Sequence, residues 1–139
     1  MASITKRVNR GIEGNKRYQY WASSETDDAG GAIGTGDVFM IEDSLGRPAN
    51  TIMIRTTGIT SLSIRFNSKM VTYPKRTHED DGIWPTPDLA NPATWYDSSM
   101  TAIPISANSV WALDNTLPIS DITIVEYTAG SGSFTLFVA

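Results

Sequence analysis

The stretch TSLSIRFN at residues 60–67 alternates strictly, with Leu62, Ile64 and Phe66 on one side and Ser61, Ser63, Arg65 and Asn67 on the other. Successive side chains of a strand point to opposite faces, so a period of two predicts a strand with one face buried. The same period governs the C-terminal residues. FTLFVA (134–139) sets Phe134, Leu136 and Val138 on one side, and SDITIVEY (120–127) offers Ile122 and Ile124. TAGSGS lies between them, and Gly130 and Gly132 take positive φ at low cost, so these segments are expected to form a hairpin. Further strands are expected at YQYWA (18–22), DVFMIED (37–43), NTIMIRTT (50–57), KMVTYP (69–74), TAIPIS (101–106) and SVWALD (109–114). Turn-forming residues around Gly30 to Gly36, 44–50, Gly58 and 114–118 separate most of them. Nowhere do apolar residues recur at helical spacing over several turns. The expected class is all-β, an antiparallel β-sandwich or jelly roll burying two facing sheets.

A chain of 139 residues suits one such domain. It has no cysteine, which excludes disulfides, thiolate metal sites and a cysteine nucleophile. The N-terminus has charges where a signal peptide needs an apolar core, and no stretch approaches the roughly 18 apolar residues that span a bilayer. A soluble protein made in a cytoplasm, with no membrane partner, is the expectation. The net charge of −4 is unevenly spread. Lys6, Arg7, Arg10, Lys16 and Arg17 against Glu13 give residues 1–17 a charge of +4, which leaves −8 on residues 18–139. Residues 1–17 therefore read as a basic arm on an acidic body at 18–139, suited to an acidic partner surface. Five cations without a groove-reading motif make nucleic acid an unlikely partner. Deleting residues 2–17 is expected to leave the fold intact.

One segment breaks the strand rhythm. Residues 75–100 contain Pro85, Pro87 and Pro92 and read as a long loop. Trp84, Trp95 and Tyr96 within it carry apolar area that is costly to leave in water, so the loop is expected to pack against the body or a neighbouring subunit, with these three as the oligomer-contact residues. The same loop holds the lone histidine, His78, beside Glu79, Asp80 and Asp81. A triad needs a nucleophile that adjacency does not supply, a zinc site needs further ligands, and the run lacks the spacing of a calcium loop. No catalytic residue, metal or cofactor is assigned. The glycines of GGAIGTGDV have phosphate-loop spacing at Gly31 and Gly36, but Asp37 stands where the phosphate-reaching lysine belongs and would repel phosphate. Phe39 likewise occupies the third glycine position of a dinucleotide fingerprint, leaving a wide turn as the expectation. Four tryptophans permit stacking on sugar rings, although Trp21 and Trp111 fall within expected strands and suit packing better.

The C-terminal half, GITSLSIRFNS and then IPISANSVWALDNTLPISDITIVEYTAGSGSFTLFVA, resembles small virion structural proteins of tailed bacteriophages, in particular capsid decoration (cement) proteins and similar tail or baseplate accessory proteins. The shared character is a strand, a polar P-I-x-A-N edge, a short strand, a turn with Leu-Pro and a closing glycine-serine hairpin. The resemblance implies a non-enzymatic β-sandwich on the virion surface, commonly a homotrimer, that binds the major capsid protein and locks neighbouring shell subunits together. Two other classes remain open beside it: a carbohydrate-binding sandwich and a metal-dependent enzyme.

Overall fold

The computed structural model describes residues 2–8, 16–66, 102–114 and 118–139. Contacts divide the chain into two units, residues 1–68 with 102–139, and residues 69–101. The second unit, with the strand expected at 69–74 and the segment 75–100, lies outside the described residues.

Alternation in sequence is expressed as alternation in burial. In β4 (Ile52–Thr57), Ile52, Ile54 and Thr56 are buried while Met53, Arg55 and Thr57 are exposed. β5 (Ser61–Phe66) buries Leu62 and Ile64, β8 (Ile122–Thr128) buries Ile122 and Ile124, and β9 (Ser133–Val138) buries Phe134, Leu136 and Val138. The shorter strands are β1 (Ser3–Ile4), β2 (Gln19–Ala22), β3 (Val38–Phe39), β6 (Ile103–Pro104) and β7 (Val110–Leu113). They form a five-stranded sheet of order β1-β3-β8-β5-β6 and a four-stranded sheet of order β2-β9-β4-β7. The inward residues of both sheets share one core, which makes the all-β two-sheet architecture plain. Trp21 anchors it at 1% exposure, its ring 5.3 Å from Phe39, which meets Phe134 edge-on at 6.3 Å.

The expected hairpin between residues 120–127 and 134–139 does not form. β8 belongs to the five-stranded sheet and β9 to the four-stranded one. The apolar sides of both strands face the same core, and they bury each other only from opposite sheets; in a flat hairpin they would lie side by side. The partner of both is the segment 52–66. Its β4 pairs antiparallel with β9 from Ile52 opposite Val138 to Thr57 opposite Ser133, and its β5 pairs with β8 from Ser61 opposite Thr128 to Phe66 opposite Ile122. A single antiparallel ribbon thus runs through both sheets and bends once. At the bend Gly58 and Gly130 have φ of 62° and 59°, and Gly132 donates to the Ala129 carbonyl at 2.8 Å. Gly132 lies so close to the neighbouring bend that a Cβ there would stand 2.1 Å from the Thr57 oxygen. A bulge at Ser63/Ile64 returns Tyr127 to the inner face opposite Leu62, 4.9 Å from Phe134.

Two further expectations are corrected. The strand expected at 37–43 stops at Phe39, and Ile41–Leu45 forms a short helix, α1, closed by Gly46 in the left-handed region. Ile41, Ser44 and Leu45 are its buried residues, so the i, i+3, i+4 spacing of one turn wins over alternation. Charge assigns residues 3 and 4 to an arm, yet they are strand β1, parallel to β3, with Ile4 in the core. The main chain of Ser3 and Ile4 accepts from Asp28 and Met40, so deleting residues 2–17 would remove part of the core and is expected to destabilise the fold.

Gly132→Ala is expected to cost about 3 kcal/mol or more, because backbone rather than a mobile side chain fills the space. Gly34→Ala, whose Cβ would meet nothing nearer than 4.0 Å, is expected to stay within about 0.5 kcal/mol of the parent. Ile4→Ala is expected to cost about 2–5 kcal/mol. Denaturant midpoints of the three variants check all three values.

Candidate interaction surface

The alternation that sends Ile52, Ile54, Leu136 and Val138 inward turns their neighbours outward. On the outer face of the four-stranded sheet, Tyr20, Phe137, Met53 and Ala112 stand opposite one another in one row across all four strands. Ala22, Thr135, Arg55 and Val110 form the next row. Tyr18 stacks on Phe137 with centroids 5.6 Å apart. Tyr18, Tyr20, Met53 and Val110 are 59, 46, 38 and 54% exposed, large apolar side chains left in water. In these two rows Arg55 is the single charge. Aromatic residues, Met and Arg, with Lys, Asp and Glu missing, are the composition that marks the centre of protein interfaces. The opposite sheet presents Ser61, Ser63, Arg65, Thr123, Glu126 and Thr128 outward, and Ser61 donates to Glu126 at 3.1 Å. The two outer faces are chemically distinct.

The edges of the four-stranded sheet also differ. Gln19 and Trp21 face Val138 and Leu136 across the β2–β9 ladder. At the open edge of β2, the Lys6 ammonium donates to the Tyr20 carbonyl and Glu25 accepts from the Ala22 amide at 2.6 Å. Lys6 and Glu25 pair with each other at 3.0 Å, and the Lys6 ammonium lies 5.6 Å from the centre of the Trp21 ring. The ion pair therefore occupies polar backbone groups that another strand would use. Among the described residues β7 has no such cover. The Thr56 amide donates to the Ser109 carbonyl at 2.9 Å, which fixes which residues of β7 point at β4. By the alternation of an antiparallel ladder, Ser109, Trp111 and Leu113 face β4, and the amides and carbonyls of Val110 and Ala112 point away from it. Thr56, itself buried, anchors the start of the strand: its hydroxyl donates to Ser106 at 2.6 Å and accepts from the Ser109 amide at 3.1 Å. Beside it lies a shallow open depression of about 280 Å³, lined by Arg55, Thr56, Thr57, Asn108, Ser109 and Val110.

The described basic residues of the N-terminal segment differ in their surroundings. Lys6 is tied to Tyr20 and Glu25, and its amide donates to the Ser44 hydroxyl at 3.0 Å. The Lys16 amide donates to Leu45, and the Arg17 carbonyl accepts from Arg47. Arg7 and Arg17 are exposed. Arg10, His78, Glu79, Asp80, Asp81, Trp84, Trp95 and Tyr96 lie outside the described residues. Trp21 is core, and Trp111 is half-buried against Phe66 at 6.0 Å. The glycine-rich turn is organised by carboxylates: Asp27 accepts from Ala29 and Gly31, and buried Asp37 accepts from Gly34 and Ala2. Its amides serve the fold. Among the described residues no group of three or more His, Cys, Asp or Glu could hold a metal ion, and no helix is long and apolar enough to cross a membrane.

Attention to tryptophan misses the outward row, whose signal is apolar residues at the polar phase of alternation: Met53 between Ile52 and Ile54, and Phe137 between Leu136 and Val138. The Lys6→Ala/Glu25→Ala double variant is expected to lose no more than about 1.5 kcal/mol of stability, since both side chains are 37% exposed. Light scattering at raised concentration is expected to show association beyond that of the parent, because the Tyr20 carbonyl and Ala22 amide become open to another strand. Comparison of the chain with family models, with curated proteins and with solved structures finds no match.

Proposed function

We propose that this chain is a non-enzymatic structural protein of a tailed-bacteriophage virion, a capsid decoration protein that sits on the outside of the head and stabilises contacts between major capsid subunits. The observation that carries the reading is the charge-poor row Tyr20, Phe137, Met53 and Ala112, flanked by Tyr18 and Val110, on the outer face of the four-stranded sheet. A strand scaffold holds these side chains at fixed spacing, so binding orders little backbone that is not already ordered. Tyrosine adds a hydroxyl to a large apolar ring and suits a surface that is wet before docking and dry after it. On a shell the contact repeats with every copy, so each interface need reach only the standard area of roughly 800 Å² per partner.

A second reading has its own support. The Tyr18 ring stacked on Phe137 beside Tyr20 is an aromatic platform of the kind on which a sugar ring stacks, so a carbohydrate ligand on this same face is the alternative.

The test is co-sedimentation of the full chain with undecorated heads of tailed phages, beside a glycan array. Saturable head binding is expected. The Tyr20→Ser/Met53→Ser double variant, altered only at exposed positions, is expected to bind at least about 30-fold more weakly, a loss of about 2 kcal/mol. Unchanged binding by the variant would take this face out of the contact. A folded parent that ignores heads and captures glycans would replace the first reading with the second.

A further inference from the structure

We infer that β7 is a self-complementary edge through which two copies of the chain join antiparallel about a two-fold axis, fusing two four-stranded sheets into one of eight strands. This inference goes beyond the decoration reading and does not require a shell.

Among the described residues four edges end the two sheets: β1 and β6 in one, β2 and β7 in the other. β1 is two residues long, and β6, also two residues, ends in Pro104, which has no amide to offer a further strand. β2 is covered by the Lys6–Glu25 pair. The open edge that remains is Val110–Leu113, which has no charge, no proline and no glycine. Its outward amides and carbonyls at Val110 and Ala112 have no hydrogen-bond partner among the described residues. Such a row is a template for strand addition.

The occupant is a second copy of the same strand, which brings an edge as free of charge, proline and glycine as the one it meets. An antiparallel ladder needs two residues on each strand, two apart, that exchange amide and carbonyl bonds. Val110 and Ala112 meet that need in both copies when Trp111 lies opposite Trp111 of the second copy. Val110 of each copy then bonds Ala112 of the other, four hydrogen bonds in all. The same register sets Asp114 opposite Asn108 of the second copy, so no like charges meet across the axis. Asn108, at φ 51°, departs from strand geometry, and because the axis repeats it at both ends it confines the ladder to this short stretch. The apolar row continues through the joint, because Ala112 is the outermost member of the row running to Tyr20. Strand pairing of this length falls short of the roughly 800 Å² per partner of a stable complex, so the dimer is a reversible one. The joint is two-fold, in place of the three-fold that the virion resemblance implies.

Sedimentation equilibrium of the full chain across the micromolar range is expected to show a reversible monomer–dimer equilibrium, reaching twice 15.1 kDa. Ala112→Pro removes an outward amide without touching the β4 ladder, and Val110→Lys places a cation on each side of the axis. Each is expected to weaken association about tenfold or more with an unchanged circular dichroism spectrum. Hydrogen exchange supplies an independent reading: the Val110 and Ala112 amides should gain protection as the parent associates. A parent that stays monomeric, a trimeric mass, a dimer that survives both substitutions, or a dimer in which these two amides exchange freely would each overturn the proposal. Should Ala112→Pro unfold the chain, Val110→Lys and the exchange measurement still decide it.

Discussion

The antiparallel pairing of residues 52–66 with residues 122–138 is the interaction on which the rest of the structure depends. It begins in one sheet at Ile52 and Val138 and ends in the other at Phe66 and Ile122, so one ribbon supplies the centre of both sheets. The other strands add to its sides: β2 and β3 along β9 and β8, and β7 and β6 along β4 and β5. Because each added segment also crosses between sheets, the described strands form a four-stranded antiparallel sheet folded over once, with β1 added at one margin. The fold line demands close approach of backbones, which is why glycine stands at 132 and at the left-handed positions 58 and 130.

Folding a sheet in this way has a consequence for function. The inner faces become the core, and the two outer faces remain free to differ. One is polar, with Ser, Thr, Glu and Arg outward; the other carries Tyr20, Phe137 and Met53. Edges are not removed by the fold, since neither sheet closes on itself. The chain answers each with a separate device: brevity at β1, proline at β6, an ion pair at β2. Among the described residues no such device stands at β7, whereas the other three edges have one.

Much of the fold was legible in alternation alone. The long strands β4, β5, β8 and β9 lie where the period of two put them, because a half-buried strand cannot hide its pattern. The short elements were not. α1 is a single turn, too brief for a helical period to register, and β1 sits inside a stretch whose charges draw attention away from Ile4. Of the candidate contact residues, Lys6 was read as one cation of a basic arm, and the structure shows it held by Tyr20 and Glu25, the latter 19 positions along the chain. Such partners come together only when β2 and residues 2–8 lie side by side, and no local spacing announces that.

The sequence by itself determined that this is an all-β chain without cysteine chemistry, and it determined the buried face of β5, of β9 and of β8 up to its bulge, because side-chain phase along a regular strand is a local property. Tertiary structure alone decided which sheet each strand joins. It thereby turned an expected hairpin into a crossing between sheets, set Tyr20, Phe137, Met53 and Ala112 in one row, and left Val110 and Ala112 at an edge. Pairing partners and edges are set by contacts between distant segments competing to cover one core, and a pattern of period two is the same whichever sheet the strand enters.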